Sequence, residues 1–326
     1  FFDMNDFYNL KIKINKEQSG QRLDKALTNC IKNMSRSQLK LLIENGNIKR
    51  NDTVLKEPSY LVKEGEIYLV YILSIQSKKF KPENIDIKIV YEDKDLIVIN
   101  KEAGMVTHPA PGNEDGTLVN ALLHHSKNNL SNINDNSRPG IVHRLDKDTS
   151  GLMLVAKNNE SHLKLSEQFK AHSITRKYEA IVWGYPKKQT IEGYIERNKK
   201  NRKKMSLNNK GNGKYSKTEI NLKKNFEIAS LVECKLYTGR THQVRLHLTS
   251  INSPLVGDKL YGKSKINQYG KAKNTFNKFL ILKNFNRQAL HASHIGFIHP
   301  TQKKIMQFDS KLPEDMGNLL DLLLKY

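Results

Sequence analysis

The stretch IVHRLDKDTSGLML (141–154) places charge between two runs that belong in a core. Ile141-Val142 and Leu152-Met153-Leu154 read as buried strands, because short continuous apolar runs suit strands covered on both faces. Arg144, Asp146, Lys147 and Asp148 lie between them. Alternation along a strand resolves part of the conflict: it sends Arg144 and Asp146 to one face, open to a cleft, while Val142 and Leu145 anchor the strand. Lys147, Asp148 and Thr149-Ser150-Gly151 then read as the turn that ends it. Asp146 leaves the apolar run directly, so its carboxylate is partly desolvated and requires a cationic or hydrogen-bonding partner elsewhere.

Outward from this stretch, from about residue 85, the pattern is strands with occasional helices. Ile85, Ile87 and Ile89 alternate, and LIVIN (96–100) suits a central strand. Thr117 is placed to cap a helix through TLVNALLHH, and Asn158 or Asn159 to cap another carrying Leu165 and Phe169. KYEAIVW (177–183) and SLVECKLY (230–237) read as strands. A helix beginning near Thr241 follows, with Val244, His247, Leu248 and Ile251 on its apolar face. Strands outnumber helices without strict βαβ alternation, which predicts an α+β domain with a central, mostly antiparallel mixed sheet.

Residues 10–75 obey a different pattern. Leu23, Leu27, Cys30 and Ile31 form one stripe of an amphipathic helix. Ser35 suits the cap of a second, carrying Leu39, Leu42 and Ile43, with Gly46 at its stop. A short strand (47–50), an Asn51-Asp52 turn and the alternating Ile67, Leu69 and Tyr71 complete the unit. Arg36, Lys40, Lys49 and Arg50 lie on its polar side. SIQSKKFKPEN (74–84) reads as a linker.

The whole chain of 326 residues carries 55 Lys+Arg against 33 Asp+Glu, a formal charge of +22. Such a field attracts a polyanion, nucleic acid first, with a generally Lys- and Asn-rich proteome as the plain alternative. The segment 196–217, which includes Arg202, Lys203 and Lys204, reads as a basic loop, either solvated or a clamp ordering on RNA. Cys30 and Cys234 form no CxxC pair, so neither a disulfide framework nor a cysteine zinc site is expected. No apolar run reaches bilayer length and no signal pattern opens the chain, so the expectation is a cytoplasmic protein without a membrane partner. The chain begins FFDM, and Met4 reads as a candidate initiator, so residues 1–9 stay outside the fold reading.

The partner sought for Asp146 is found best in TGRTHQVRLH (238–247), where Arg240 sits at a helix start and its guanidinium can fork onto a carboxylate. Other chemistries fail on spacing. His242 and His247 have no HExxH frame, Asp146 and Asp148 do not face each other as a glycosidase pair, and no GxGxxG or Walker sequence follows a strand. What remains is a single partly buried carboxylate in a basic chain whose charge suits a polyanion.

HRLDKDTSG (143–151), RKYEA (176–180), GRTHQVR (239–245) and PLVGDKLYG (254–262) resemble, in order and spacing, the motifs of the RluA family of pseudouridine synthases. The two short helices, SRSQLK and NGNIKRN of the N-terminal unit resemble the alpha-L RNA-binding module first described in a ribosomal small-subunit protein. HPAPGNEDGTLVNALLHH (108–125) and FNRQALHA (285–292) look like the D-type enzymes that modify 23S ribosomal RNA. The resemblance implies that Asp146 is the catalytic nucleophile or base, that Arg240 is its ion-pair partner, and that Tyr178 lies against the flipped base and assists proton removal at carbon five. It implies that Arg144 fills the space the target uridine leaves, that Leu255 packs on the uracil, and that His143 and Thr149 also contact substrate. Arg36, Lys40, Lys49, Arg50, Arg202, Lys203 and Lys204 would contact phosphates. Glu102 stands where the family commonly has proline, and Val244 where isoleucine is commoner.

Isomerisation breaks a carbon–nitrogen glycosidic bond and rejoins the rotated base through carbon, oxidising and adding nothing, so no cofactor and no metal are expected. The reading is a small RNA-binding domain (10–75), a linker (76–84) and a catalytic domain (85–326), monomeric, acting on 23S ribosomal RNA or a large-subunit precursor. A sister synthase for other large-subunit or tRNA uridines, and a non-catalytic ribosome-assembly factor, are the alternatives. The polar stretch 263–284 has no motif to assign it.

Overall fold

The structure, a computed structural model, describes residues 7–31, 34, 36–73, 80–109, 112–127, 129–133, 138–262 and 275–325. The expected cap Ser35, residues 76–79 of the expected linker and residues 263–274 of the unassigned stretch lie outside the described residues. The chain divides into two compact units, Phe1–Lys79 and Phe80–Tyr326.

The first unit contains β1 (Phe7–Lys13), α1 (Leu23–Cys30), α2 (Arg36–Glu44), β2 (Ile48–Arg50), β3 (Thr53–Leu55) and β4 (Ile67–Leu73). Its strands pair antiparallel in the order β1-β4-β2-β3. The apolar stripes of both helices, Leu23 and Leu27 with Leu39 and Ile43, share one core with Ile48, Val70 and Ile72. On β4 the buried face is Tyr68, Val70 and Ile72, the opposite set from Ile67, Leu69 and Tyr71. Every residue of β4 is apolar or aromatic, so no polar position marks the outer face, and a slip of one residue exchanges the two sets.

The second unit contains β5 (Lys88–Glu92), β6 (Leu96–Lys101), α3 (Leu118–His125), β7 (Ser150–Ala156), α4 (Asn159–Lys170), β8 (Thr175–Trp183), β9 (Gln189–Arg197), β10 (Met205–Asn208), β11 (Lys214–Asn225), β12 (Ala229–Leu236), α5 (Gln243–Ser250), α6 (Phe276–Lys283), β13 (Leu290–Ile298), β14 (Ile305–Asp309) and α7 (Glu314–Lys325). The sheet order is β10-β9-β11-β12-β8-β13-β7-β6-β5, with β14 paired to β13. Only the β13–β7 pair is parallel among the described strands, so the expected mixed, mostly antiparallel sheet of an α+β domain is what forms.

Both faces of the sheet are covered, and successive residues of one strand feed different cores. Met153 and Val155 of β7 join Ile97 and Ile99 under α3, whereas Leu152 and Leu154 join Leu96 and Val98 with Leu165 of α4. Each such side chain, withdrawn from water, contributes about 2 kcal/mol, which is why the runs carry no alternating polar position. LIVIN therefore reads as central, yet β6 is second from the sheet edge. The caps form as the sequence suggests: Thr117 and Asn120 make a capping box on α3, and Asn158 accepts from the Ser161 amide at 2.9 Å on α4.

Three expectations change. Ile141-Val142 is not a strand but makes a single bridge, Ile141 to Val155, before an irregular segment leads into β7. The basic segment 196–217 is only in part a loop: it holds the end of β9, all of β10 and the start of β11, with most of its basic residues on the connections 198–204 and 209–213. Of the unassigned stretch, 276–283 forms α6, whose Phe279 and Leu282 pack with Trp183 and with Met316 of α7.

Gly151 joins the reactive segment to the sheet. Its φ is +118°, and a Cβ there would stand 2.3 Å from the Ala292 carbonyl oxygen across the parallel β7–β13 pair. Gly151→Ala is expected to cost about 2–4 kcal/mol, from backbone strain and forced strand separation, measured as a lower urea midpoint for this unit.

Buried histidines give the unit an acid sensitivity. His247 and His291 are at most 1% exposed and His108 is 9% exposed, and burial pushes each ring down to about 4. The Ser216 hydroxyl donates to the Gly193 carbonyl, so it accepts from Nε2–H of His247, leaving Nδ1 without a partner among the described residues. Protonation there would bury an unpaired donor. In the unfolded chain these rings bind protons below about 6.5, so their contribution is present at neutral pH and is lost as pH falls from about 6.5 towards 4. From pH 7 to 5.5 the loss is about 1 kcal/mol or slightly more per histidine, roughly 3–4 kcal/mol for the three, before any carboxylate titrates. A urea midpoint unchanged over that window would refute the assignment.

Candidate active site

The segment between the Ile141 bridge and β7 is fixed through its carbonyls. Thr107 Oγ1 donates to Leu145 O at 3.1 Å, the Thr149 amide to Asp146 O at 3.1 Å, Lys101 Nζ and the Gly104 amide to Lys147 O at 3.0 and 2.9 Å, and Arg287 Nη1 to Asp148 O at 3.1 Å. Lys101 is 2% exposed and also donates to the carbonyls of Glu102 and Met105. Burial lowers its pKa to about 8, against the attraction of Asp148 and Asp146. With their hydrogen bonds satisfied away from solvent, these backbone groups leave the side chains of Arg144 and Asp146 to face a cleft.

That cleft is lined by Arg144, Leu145, Asp146, Thr149 and Tyr178, and by Leu236, Arg240, His242 and Arg245 from the far side. Arg245 Nη1 donates to Asp146 Oδ2 at 2.9 Å. The same guanidinium holds Asp258 in a fork, with Nε and Nη2 at 2.8 and 3.0 Å from its two oxygens. Asp258 Oδ1 also accepts from the Leu260 and Tyr261 amides. Burial alone would raise the Asp258 carboxyl, but Arg245 and these amides hold it below the usual carboxylate range. Burial likewise opposes the charge of Arg245, and the two carboxylates more than restore it.

The ion pair of Asp146 is therefore with Arg245, not with Arg240. The helix starts at Gln243 rather than near Thr241, because His242 adopts a left-handed conformation (φ 57°) and Gln243 is pulled under the turn. Gln243 Oε1 accepts from Thr238 Oγ1 and the Arg240 amide, while Nε2 donates to Lys217 O and Thr218 Oγ1. This turns Arg240 outward, where its Nε donates to Tyr215 O at 2.8 Å, and brings Arg245 inward. His242 Nε2 lies 3.7 Å from Asp146 Oδ2, and its Nδ1 meets the Tyr261 hydroxyl at 2.8 Å.

The other site residues fall into two groups. Asp146, Tyr178, Arg144, Thr149 and Arg240 line the cleft. Tyr178 is 8% exposed; burial raises its phenol, Arg176 opposes that and Asp146 adds to it, so the hydroxyl stays protonated at neutral pH. Thr149 Oγ1 accepts from Gln288 Nε2 at 3.1 Å. Leu255 and His143 lie apart from the residues that line the cleft. Leu255 is 1% exposed within the core that also holds Val182 and Leu248, and is not among the cleft-lining residues. His143 turns away from the cleft: its Nε2 accepts from the Leu154 amide at 2.9 Å, its ring lies 4.5 Å from that of Phe169, and burial keeps it neutral with a pKa of about 3.

Of the phosphate-contact candidates, Arg50 is engaged internally by Tyr60 and by Glu66 at 2.6 Å, and it also lies over the Tyr60 ring. Arg36 forks onto the buried Asp24, though its side chain remains half exposed, and Lys40 pairs with Glu44. Lys49 lies over the Tyr71 ring. Arg202 and Lys203 are exposed on the turn between β9 and β10, and Lys204 is half-buried over the Tyr261 ring. Asp93, Asp95 and His299 have metal-ligand spacing, but their ligand atoms bond to one another, to the Asp95 and Leu96 amides, and to Asn158 and Thr301. Sequence reading missed Arg245, Asp258, His242 and Tyr261 as site residues, though all stand in quoted motifs; the available signal was a second arginine in the motif of Arg240.

Residues 95–250 match the family model for RNA pseudouridylate synthase, and residues 21–67 that of the S4 domain. The chain is 44% identical to a ribosomal large subunit pseudouridine synthase D of Zymomonas mobilis, over 96% of this chain and 97% of that protein. It is 40% identical to an uncharacterized RNA pseudouridine synthase of Bacillus subtilis, over 97% and 98%. It is 39% identical to a ribosomal large subunit pseudouridine synthase D of Yersinia pestis, over 96% and 94%. Among solved structures, human RNA pseudouridylate synthase domain containing 4 has a similar fold, with a TM-score of 0.55 at 24% identity over 73% of this chain and 93% of that one.

Proposed function

The chain belongs to the RNA pseudouridylate synthase family and carries an S4 domain, and from that membership we propose that it isomerises uridines in 23S ribosomal RNA or its large-subunit precursor. RNA is its partner. The observation that carries the catalytic reading is the Asp146 carboxylate at the cleft mouth, aimed by an Arg245 that Asp258 holds from behind. The large-subunit target is supported by the names of the relatives from Zymomonas mobilis and Yersinia pestis.

In this reading the uridine leaves its stack and enters the cleft, at a cost of a few kcal/mol that an inserted Arg144 partly offsets. Arg144 is exposed and makes no hydrogen bond or ion pair to a described residue, so it is free to enter the stack. Asp146 acts on the sugar or the ring while the base detaches, turns and rejoins through carbon five. Arg245 balances its charge throughout, and the fixed carbonyls of 145–148 hold it in place. Tyr178 packs on the base and, as a protonated phenol, positions it rather than serving as a ready base. The atoms of uridine balance those of pseudouridine, so no oxidant, reductant or group donor enters.

The division of labour is an RNA-binding module at 10–75 and a synthase domain that takes in residues 80–84 of the expected linker and runs to 326, acting as a monomer in the cytoplasm. Among the described residues no helix is long and apolar enough to cross a membrane. The test uses the full chain with carbon-five-tritiated transcripts of 23S RNA and of tRNA. Tritium release from the 23S transcript is expected; release only from tRNA would move the target, and binding without release from either would leave a non-catalytic factor.

A further inference from the structure

Arg176 is a buried cation with no anion. It lies on β8 two residues before Tyr178, on the same face of the sheet, and is 7% exposed. Its nitrogens make no hydrogen bond or ion pair to any described residue, and its Nε is buried without a partner. The Phe169 ring lies 5.5 Å from its guanidinium carbon. Burial disfavours its charge, the Tyr178 phenol favours it, and Arg240 repels it. Arginine does not escape this by losing its proton, so the charge remains and is uncompensated. Elsewhere in this unit the buried cations are engaged: Arg245 by two carboxylates and Lys101 by carbonyls.

The surroundings show where an anion would arrive. Nη1 of Arg176 reaches beneath the exposed turn at Gly239, so close that a Cβ on that glycine would stand 2.5 Å away. The next residue, Arg240, has its Nε on Tyr215 O and no carboxylate partner among the described residues. Arg240 also joins the cleft to a second groove lined by Arg197, Lys214, Gly239 and Thr241, where the one acid, Glu196, accepts from Asn208 Nδ2. A strand entering the cleft thus meets cations along the groove and two guanidiniums at its edge.

We propose that Arg176 and Arg240 form a clamp for one backbone phosphate next to the flipped uridine. The phosphodiester supplies the missing counter-charge, and fixing it beside the cleft gives the nucleotide a pivot about which the base turns outward. Arg240 thereby acts on the strand rather than on Asp146. This inference rests on the proposed uridine chemistry.

The experiment places a single uncharged methylphosphonate 5′ or 3′ of the target uridine in an otherwise native oligonucleotide, and measures single-turnover rate and affinity. Wild type is expected to lose about tenfold or more in one of the two for the substitution at one of these positions. Arg176→Gln should lose as much on native RNA and show no further loss on the modified RNA, and the slope of log affinity against log salt should fall by about 0.7. Gly239→Ala, whose methyl displaces Nη1 from an exposed turn, should give the same loss of phosphate sensitivity with the fold unperturbed. Wild-type turnover with equal rates and affinities on native and both modified RNAs would overturn the clamp; so would an undiminished methylphosphonate penalty in both variants. Absence of wild-type turnover on native RNA would instead overturn the uridine chemistry itself.

Discussion

Asp146→Asn is expected to bind RNA with the affinity of the wild type and to form pseudouridine at least about a thousandfold more slowly. The size follows from the number of groups that can substitute. Of the other side chains lining the cleft, none is a carboxylate: Asp258 faces the back of Arg245 and His242 is turned to Tyr261. An asparagine keeps an oxygen for Arg245 Nη1 but lacks the charge and nucleophilicity. Folding should be spared, within about 1 kcal/mol, because Arg245 remains neutralised by its fork onto Asp258 and the Asp146 side chain is already 21% exposed. Tritium release and urea unfolding measured on one preparation separate the two effects; turnover near the wild-type rate would remove Asp146 from the chemistry.

The contrast between Asp146 and Arg240 shows what was legible in the sequence. The carboxylate was found because a charge directly after a buried apolar residue is locally anomalous, and that anomaly needs no knowledge of the fold. Its partner was not found because two arginines, 240 and 245, stand in one motif and the choice depends on where the helix begins. Gln243, with four hydrogen bonds under the turn, sets that point at 243 and reverses which arginine faces inward. Residues 243–248 are all buried, and Arg245 lies about 60° beyond the stripe of Val244, His247 and Leu248, so the apolar period alone does not select it. Leu255 illustrates a different limit. An apolar residue next to a turn is equally suited to a pocket wall and to a core, and only packing against Val182 and its neighbours separates the two. In the opening stretch the backbone of 145–148 is held by Thr107, Lys101, Gly104 and Arg287 from distant parts of the chain instead of by a strand ladder, and Ser150-Gly151 open β7 instead of closing a turn. Contacts between residues so far apart in sequence leave no periodic trace.

Arg245→Met is the substitution with the largest expected effect on stability. Its guanidinium serves two carboxylates, one with a side chain 1% exposed and one at the reactive surface. Removing it leaves Asp258 buried with two backbone amides and no cation, and an uncompensated buried charge costs about 3–5 kcal/mol. The pH dependence fixes the cause. In the wild type Arg245 holds Asp258 below the usual range, so that part of stability is present above the unfolded carboxyl pKa of about 4 and is lost as pH falls through the lowered folded value. In the variant only the two backbone amides oppose burial, which raises Asp258, so the penalty is greatest at neutral pH and shrinks as the carboxyl takes up a proton. The gap between the two proteins should therefore narrow on acidification. Adding Asp258→Asn to Arg245→Met should recover part of the lost stability at pH 7 by removing the orphaned charge, with no recovery of turnover, because Asp146 still lacks its aiming group. A gap constant with pH, or a double variant no more stable than the single one, would mean that Arg245 stabilises by packing on Tyr261, whose ring lies 5.0 Å from the guanidinium carbon, and not by its charge.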